Sequence, residues 1–457
     1  MSEPDPSGSV EHAVLEDCRL PAGPGSGTLR PSRFRWLILA LISVLYLICY
    51  MDRGNVGIAQ PEIARQFGLS KAAMGLLLAT FTWAYALGQV PWGWLGDRLG
   101  PRRILVAIMT ITSLAAILTG AAIGPLSLFG ARLVLGLGEA GAFPVSSRAM
   151  HSWFPKTERG RVQGITHFFS RLAVAITPLT SVAIMGVFGW RAIFYVVGLI
   201  GAIWSILFFI VFRNSPEQHK RVNSAELAVI RGGAAPANTT GGPVPTRYPV
   251  PWKSILSAPN MWYIALGYAC FFFGTNFYLT WYPTYLREYR HLTLQSFGIL
   301  GSLPLLAGMA GDLIGGGVSD YLLKRTNSTR IARRAVAATG FLGAAVFVVP
   351  AALTQNTATS VLFLAASFFC LEWVIGPAWA VPMDVGGHAS GTVTAIMNMA
   401  GALSASLMAL LYGHMFGKGM WTAPFFVSGA VLALGAVIWT FLIDPAKQMV
   451  KDPGAKA

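Results

Sequence analysis

Twelve apolar runs, each long enough to cross a bilayer as a helix, dominate this 457-residue chain and leave few folds open to it. Hydrocarbon offers no hydrogen-bond partner to exposed backbone, so runs of this length must close their N–H and C=O groups internally as α-helices. Their limits read as 35–58, 72–96, 101–123, 125–148, 160–188, 191–212, 260–286, 294–323, 331–352, 358–382, 390–414 and 420–443. Charged residues make up 12% of the chain, against roughly 25% in a soluble domain. That deficit excludes a single large soluble core.

The net charge of +15 could suggest a nucleic-acid partner, but its placement argues for membrane topology. The N-terminus, the even-numbered loops and the C-terminus hold 25 of the 34 Lys and Arg, and the odd-numbered loops hold six. That bias places both termini and the central loop in the cytoplasm, with the chain in the cell's inner (plasma) membrane. The expected divisions are a disordered cytoplasmic tail over 1–34, a six-helix bundle over 35–212, a linker over 213–258, a second bundle over 259–443 and a tail over 444–457. The linker carries Thr-Thr-Gly-Gly-Pro and Pro-Val-Pro, which is turn and loop chemistry. Cys18, Cys49, Cys270 and Cys370 show neither disulfide nor metal spacing. No metal site, cofactor or enzyme signature stands out. Asn238 and Asn327 match the glycosylation pattern, but both fall in loops read as cytoplasmic.

An internal repeat links the two halves. Gly93-Trp94-Leu95-Gly96-Asp97-Arg98-Leu99-Gly100-Pro101-Arg102-Arg103 follows span two, and Gly316-Gly317-Val318-Ser319-Asp320 with Lys324-Arg325 follows span eight. A cytoplasmic loop repeated in two six-span halves points to a pseudo-twofold transporter with its site between them. The expected fold is therefore an all-α membrane protein of twelve transmembrane helices in two pseudo-symmetric six-helix bundles. Gly93 and Gly100 permit close helix approach, Asp97 and Asp320 cap and pair across the interface, and Arg98 and Arg102 bind carbonyl ends or acids. Together they read as the gate.

Charges inside the spans are costly, so they usually face a cavity. Asp52-Arg53 lies late in span one. Arg132 and Glu139 lie seven residues apart in span four, nearly two full turns, and so share a face. Protonating Glu139 would release Arg132, giving a two-state switch. In span five, Arg171 is either a second anion contact or a partner for Glu139 or Asp52, and His167 shares its face. Glu372 in span ten either meets a substrate hydroxyl, counters an arginine or pairs across the halves. Asp312 in span eight reads as part of gating or helix contact. Tyr50, Tyr85 and Gln89 offer hydroxyl and amide groups at the depth of Arg53.

At the 93–103 motif, and in its twelve spans, the chain resembles the major facilitator superfamily from about 35 to 443. Tyr50-Met51-Asp52-Arg53 with Ala59, and Arg132 with Gly136-x-x-Glu139-Ala140-Gly141-x-Phe143-Pro144, resemble the anion:cation symporter family within it. That resemblance implies a small organic anion moved with protons. It implies Asp52 and Glu139 as proton-binding acids, Arg132 as the partner of the span-four acid, and Arg53 as the arginine near a substrate carboxylate. Tyr85 and Asn398 correspond to sugar-acid contacts. Span seven lacks the family's glutamine, and Asn276 takes its place in this reading. Span five reads Ala173-Val174-Ala175-Ile176-Thr177-Pro178, without the glycine of superfamily exporters, which favours uptake.

The expected function is import of a sugar acid of the galactonate, hexuronate or glucarate type by a monomeric, proton-coupled symporter working by alternating access. An aromatic-acid or other carboxylate importer, or an exchanger of the same fold, is the alternative; a non-transporting nutrient sensor is a more distant one.

Overall fold

The computed structural model describes residues 30–231, 249–292 and 294–450. The readings of 1–29, of 232–248 within the linker and of 451–457 lie outside the described residues.

Twelve long helical spans appear where twelve were expected. Six come before the central loop: Phe34–Phe67, Ala73–Leu99, Pro101–Gly120, Pro125–Trp153, Lys156–Phe188 and Trp190–Val211. Spans seven and eight are Pro259–Thr280 and Leu294–Thr326. Spans nine to twelve are Thr329–Leu353, Thr357–Val385, Gly387–Gly417 and Ala423–Leu442. Ten of these are long and apolar enough, by length and composition, to cross a bilayer. Span seven falls short because Asn260, Tyr263, Thr275 and Asn276 interrupt its apolar residues. No strand occurs among the described residues.

Span one departs from its expected end near residue 58 and continues to Phe67 with Pro61 inside it. The polar Gln60-Pro61-Glu62 stretch looks like a stop in sequence. Yet Ile63 is fully buried in a cluster with Met74, Leu77, Trp190 and Phe194, so packing carries the helix past the proline. Gly68 then ends it in the left-handed region at φ 64°, a conformation glycine adopts without strain.

Spans four and ten are each broken. Span four turns at Ala140–Gly141 between the helices Pro125–Glu139 and Ala142–Trp153. Span ten turns at Trp373–Val374 between Thr357–Glu372 and Ile375–Val385. Each half thus carries one interrupted helix, and each interruption follows directly on a glutamate.

The halves meet along two main seams, span two against span eleven and span five against span eight. Small residues make both seams tight. A Cβ on Gly93 would lie 2.7 Å from the Gly391 carbonyl, and one on Gly316 would lie 2.3 Å from the Gly160 carbonyl.

The described part of the central loop docks on the membrane domain. Helix Ser224–Ile230 is capped by Asn223, and its fully buried Glu226 accepts N–H bonds from Phe34 (2.9 Å) and Arg35 (3.1 Å) and an O–H bond from Ser32. Glu226 thereby supplies acceptors that the first turn of span one lacks. Burial raises its pKa, but the Ser32 hydroxyl, those two N–H groups and the Arg35 guanidinium outweigh burial and hold it below the usual carboxylate range. The described cysteines Cys49, Cys270 and Cys370 are free.

Candidate functional site

A cavity of about 480 Å³ lies between the halves, within the range typical of small-molecule sites. Its wall is drawn from spans one, two, four, five, seven, ten and eleven. In span one it begins at Tyr50 and runs to Ile58, on the far side from the chain termini.

Arg53 is the cation placed on this wall by span one. Its Nε donates to Oε2 of Glu139 at 2.8 Å. Four rings surround the guanidinium: Tyr85 at 4.5 Å, Tyr50 at 5.0 Å, and Phe81 and Phe143 at 5.4 Å. Such faces favour a cation, and Nη2 of Arg53 has no hydrogen-bond acceptor among the described residues.

Asp52 and Arg132 lie behind the wall and are almost fully buried. Neither oxygen of Asp52 has a hydrogen-bond donor among the described residues, nor do Nε and Nη1 of Arg132 find acceptors. Arg132 rests over Phe81 at 5.0 Å, within electrostatic range of Glu139 and Asp52. This corrects the sequence-based pairing. The direct partner of Glu139 is Arg53, not Arg132. Sharing a helix face does not decide where Glu139 points, because the helix ends at that residue.

Tyr85 and Asn398, both read as hydroxyl contacts, meet each other: the Asn398 amide donates to the Tyr85 hydroxyl at 3.1 Å, across the two halves. Asn276 lines the cavity and donates to the Ala405 carbonyl at 3.2 Å. Gln89 is fully buried away from the wall, and neither amide atom finds a partner among the described residues. It does not join the site as expected: it shares a helix face with Tyr85 but lies one turn further along, past Phe81, Thr82 and Tyr85, which form the span-two part of the wall.

Arg171 lines the cavity, and of the partners considered for it neither Glu139 nor Asp52 is the one it takes. Its Nη2 donates to Oε1 of Glu372 at 2.6 Å, and its Nε lies 3.9 Å from Asp312. Glu372 sits behind the wall and also accepts from Thr275 at 3.3 Å. It therefore counters an arginine across the halves, one of the roles left open for it, and does not reach the cavity.

Below these groups an aromatic floor closes the cavity. Trp379 donates from Nε1 to the Tyr268 hydroxyl at 2.9 Å and packs against His167 at 4.9 Å and Phe143 at 6.2 Å. Tyr268 was not singled out from sequence, and Phe143 appeared there only as a position of the span-four motif, with no site role. Aromatic residues are common on lipid-facing and packing surfaces, so nothing in a single sequence separates these from the rest.

Under the floor, the repeated loops make matching contacts. Asp97 accepts from the N–H groups of Gly391 (3.0 Å) and Thr392 (2.6 Å) and from the Thr392 hydroxyl (2.7 Å), at the start of span eleven. Asp320 accepts from the N–H groups of Gly160 (3.1 Å) and Arg161 (2.6 Å), at the start of span five. Each aspartate of one half thus caps a helix of the other, where the N-terminal dipole favours a negative charge. Arg333 joins Asp320 at 2.7 Å to Asp384 at 3.3 Å, and Arg159 reaches Asp384 at 2.9 Å. Asp384 was missed in the sequence because it belongs to no repeat.

The rest of the motif works within one half. Arg98 is exposed and stacks on Trp94 at 5.3 Å. Arg102 donates to the Phe209 carbonyl at 3.0 and 2.6 Å, at the end of span six. Gly100, at φ 88°, brings the chain against Asn214. Arg102 thus binds a carbonyl end and Gly100 permits a close approach, as expected, whereas Arg98 stacks on a ring instead; the contacts of all three stay within the first half.

Comparison with known proteins agrees with this architecture. The family profile of the Major Facilitator Superfamily matches residues 42–409. A "Probable sulfoacetate transporter" of Cupriavidus necator is 37% identical, the alignment covering 93% of this chain and 96% of that protein. A "D-galactonate transporter" of Escherichia coli O6:H1 is 32% identical over 92% of this chain and 98% of its own length. Among solved structures, the proton:xylose symporter XylE superposes with a TM-score of 0.71 at 14% identity, covering 92% of this chain and 98% of that one. The matched profile and the full-length relatives, together with the twelve-span all-helical fold, establish that this chain belongs to the Major Facilitator Superfamily.

Proposed function

We propose that the protein imports a small organic anion together with protons by alternating access. The observation that carries this reading is the Arg53–Glu139 pair on the cavity wall, with Asp52 beside it. An incoming carboxylate or sulfonate competes with Glu139 for the fork of Arg53. Protonating Glu139 frees that fork, so anion binding and proton binding favour one another. Asp52 and Arg132 hold the second acid and base of the same buried cluster. Neutralising the acids lowers the cost of occluding the loaded cavity.

Sugar acids lead the candidate substrates, because relatives named for galactonate and galactarate/D-glucarate align over nearly the whole chain. A short sulfonated acid is a second candidate, because the sulfoacetate relative is also full-length. The 25 basic residues on one side support cytoplasmic termini in the inner membrane. In that orientation the cavity faces outward and the Asp97 and Asp320 contacts close the cytoplasmic side. Both aspartates and the glycines beside them are proposed as the gate.

Uptake into proteoliposomes under an imposed proton gradient tests the reading, using galactonate, glucuronate, glucarate, sulfoacetate and a hydroxylated aromatic acid. Accumulation of one acid, abolished by a protonophore, supports it. Exchange without net uptake would replace symport with antiport.

A further inference from the structure

We infer that Asp312 and Glu372, facing Arg171 across the two halves, form a second proton-binding site in the cavity wall, separate from the Asp52–Glu139 cluster. The inference rests on the proton-coupled reading above and extends it to groups which that mechanism does not use.

The cluster holds two acids and one base. Asp312 and Glu372 are fully buried, and Arg171 is 7% exposed. At an exposed position water would settle such an imbalance, but here the surroundings are protein: His167 on span five, Tyr268, Thr275 and Tyr278 on span seven, and Tyr50 on span one. His167 is engaged through Nδ1 with the Gln163 carbonyl. Among the described residues, Arg171 is the one cation close to Asp312. A buried excess of one negative charge is relieved by a proton.

The hydrogen bonds indicate where that proton sits. The two carboxyls are close enough to act on each other electrostatically. Neither Asp312 oxygen nor Oε2 of Glu372 finds a donor among the protein's other described groups, whereas Oε1 of Glu372 takes both Arg171 and Thr275. A single proton shared between Asp312 and Glu372 supplies the missing donor.

Placement ties the site to the transport cycle. Arg171 and Thr275 line the cavity and give protons a route to Glu372. Arg171 belongs to span five, and the acids belong to spans eight and ten of the other half. A Cβ on Gly164 of span five would lie 2.2 Å from the Asp312 carbonyl, so the seam beside the cluster is closed. Opening that seam to the cytoplasm withdraws Arg171 and admits water. Hydration then supports both carboxylates in ionised form, and the shared proton departs on the cytoplasmic side.

Infrared pH titration of the purified full-length protein tests the site without any substrate. The expected result is a buried protonated-carboxyl band near neutral pH that survives in Asp52→Asn and disappears in both Asp312→Asn and Glu372→Gln, since either leaves one acid paired with Arg171. A band unchanged in both variants overturns the inference. In proteoliposomes, with the first transported acid of the uptake panel as probe, Asp312→Asn is expected to lower the protons moved per anion by one; an equal ratio in wild type and variant overturns the role in the cycle. Because the infrared arm reads Asp312 and Glu372 directly, its failure is distinguishable from failure of proton-driven uptake itself.

Discussion

Glu139 and Glu372 occupy matching places in the two halves: each is the last residue before the break in its span, each is fully buried, and each accepts a cavity-wall arginine. Glu139 takes Arg53 at 2.8 Å from its own half, and Glu372 takes Arg171 at 2.6 Å from the opposite half. The first pair can change without moving the halves, whereas the second reports their relative position.

Replacing Asp52 with Asn should abolish net proton-driven uptake while leaving substrate exchange across equal gradients. Asn keeps the shape and removes the ionisable oxygen. Counterflow and uptake assays on the same vesicles separate the two activities, and net uptake at the wild-type rate would refute the assigned role.

Arg53→Lys retains the charge but loses the planar fork held among Tyr50, Phe81, Tyr85 and Phe143. A charge-assisted hydrogen bond contributes about 1.5–3 kcal/mol, so apparent substrate affinity should fall roughly ten- to hundredfold. Ligand binding to detergent-purified protein checks this.

Asp320→Ala should loosen the cytoplasmic closure. It removes the cap on Gly160 and Arg161 and leaves Asp384 as the one acid paired with the buried Arg333 among the described residues. Breaking a buried pair costs about 3–5 kcal/mol, an upper bound here because Asp384 stays. Distances between spin labels on the cytoplasmic ends of spans five and eight should lengthen; an unchanged distribution would remove Asp320 from the gate.

The docking of helix Ser224–Ile230 should depend on pH. Glu226 is held below the usual carboxylate range, so its contribution is fully present above the unfolded-state value of about 4.3 and is lost as pH falls through the lower folded value. Amide exchange of this helix should therefore stay slow at neutral pH and quicken only in strong acid. Glu226→Gln should quicken it at neutral pH, and equal protection in the variant would exclude the contact as the anchor.

The sequence by itself determined the spans, because hydrocarbon demands long apolar helices, and the repeat around Asp97 and Asp320, because matched spacing survives in a linear string. It also marked Asp52, Arg53, Arg132, Glu139, Arg171 and Glu372, since charges within apolar runs are conspicuous. Only the tertiary structure decided the pairing among them. Helical periodicity tells which residues share a face, as Arg132 and Glu139 do, but says nothing of which face meets another span. The choice of Arg53 for Glu139, and of Arg171 for Glu372 and Asp312, depends on how spans one, four, five, eight and ten lie against each other. Those distances arise from packing between segments far apart in the chain, and local pattern does not contain them.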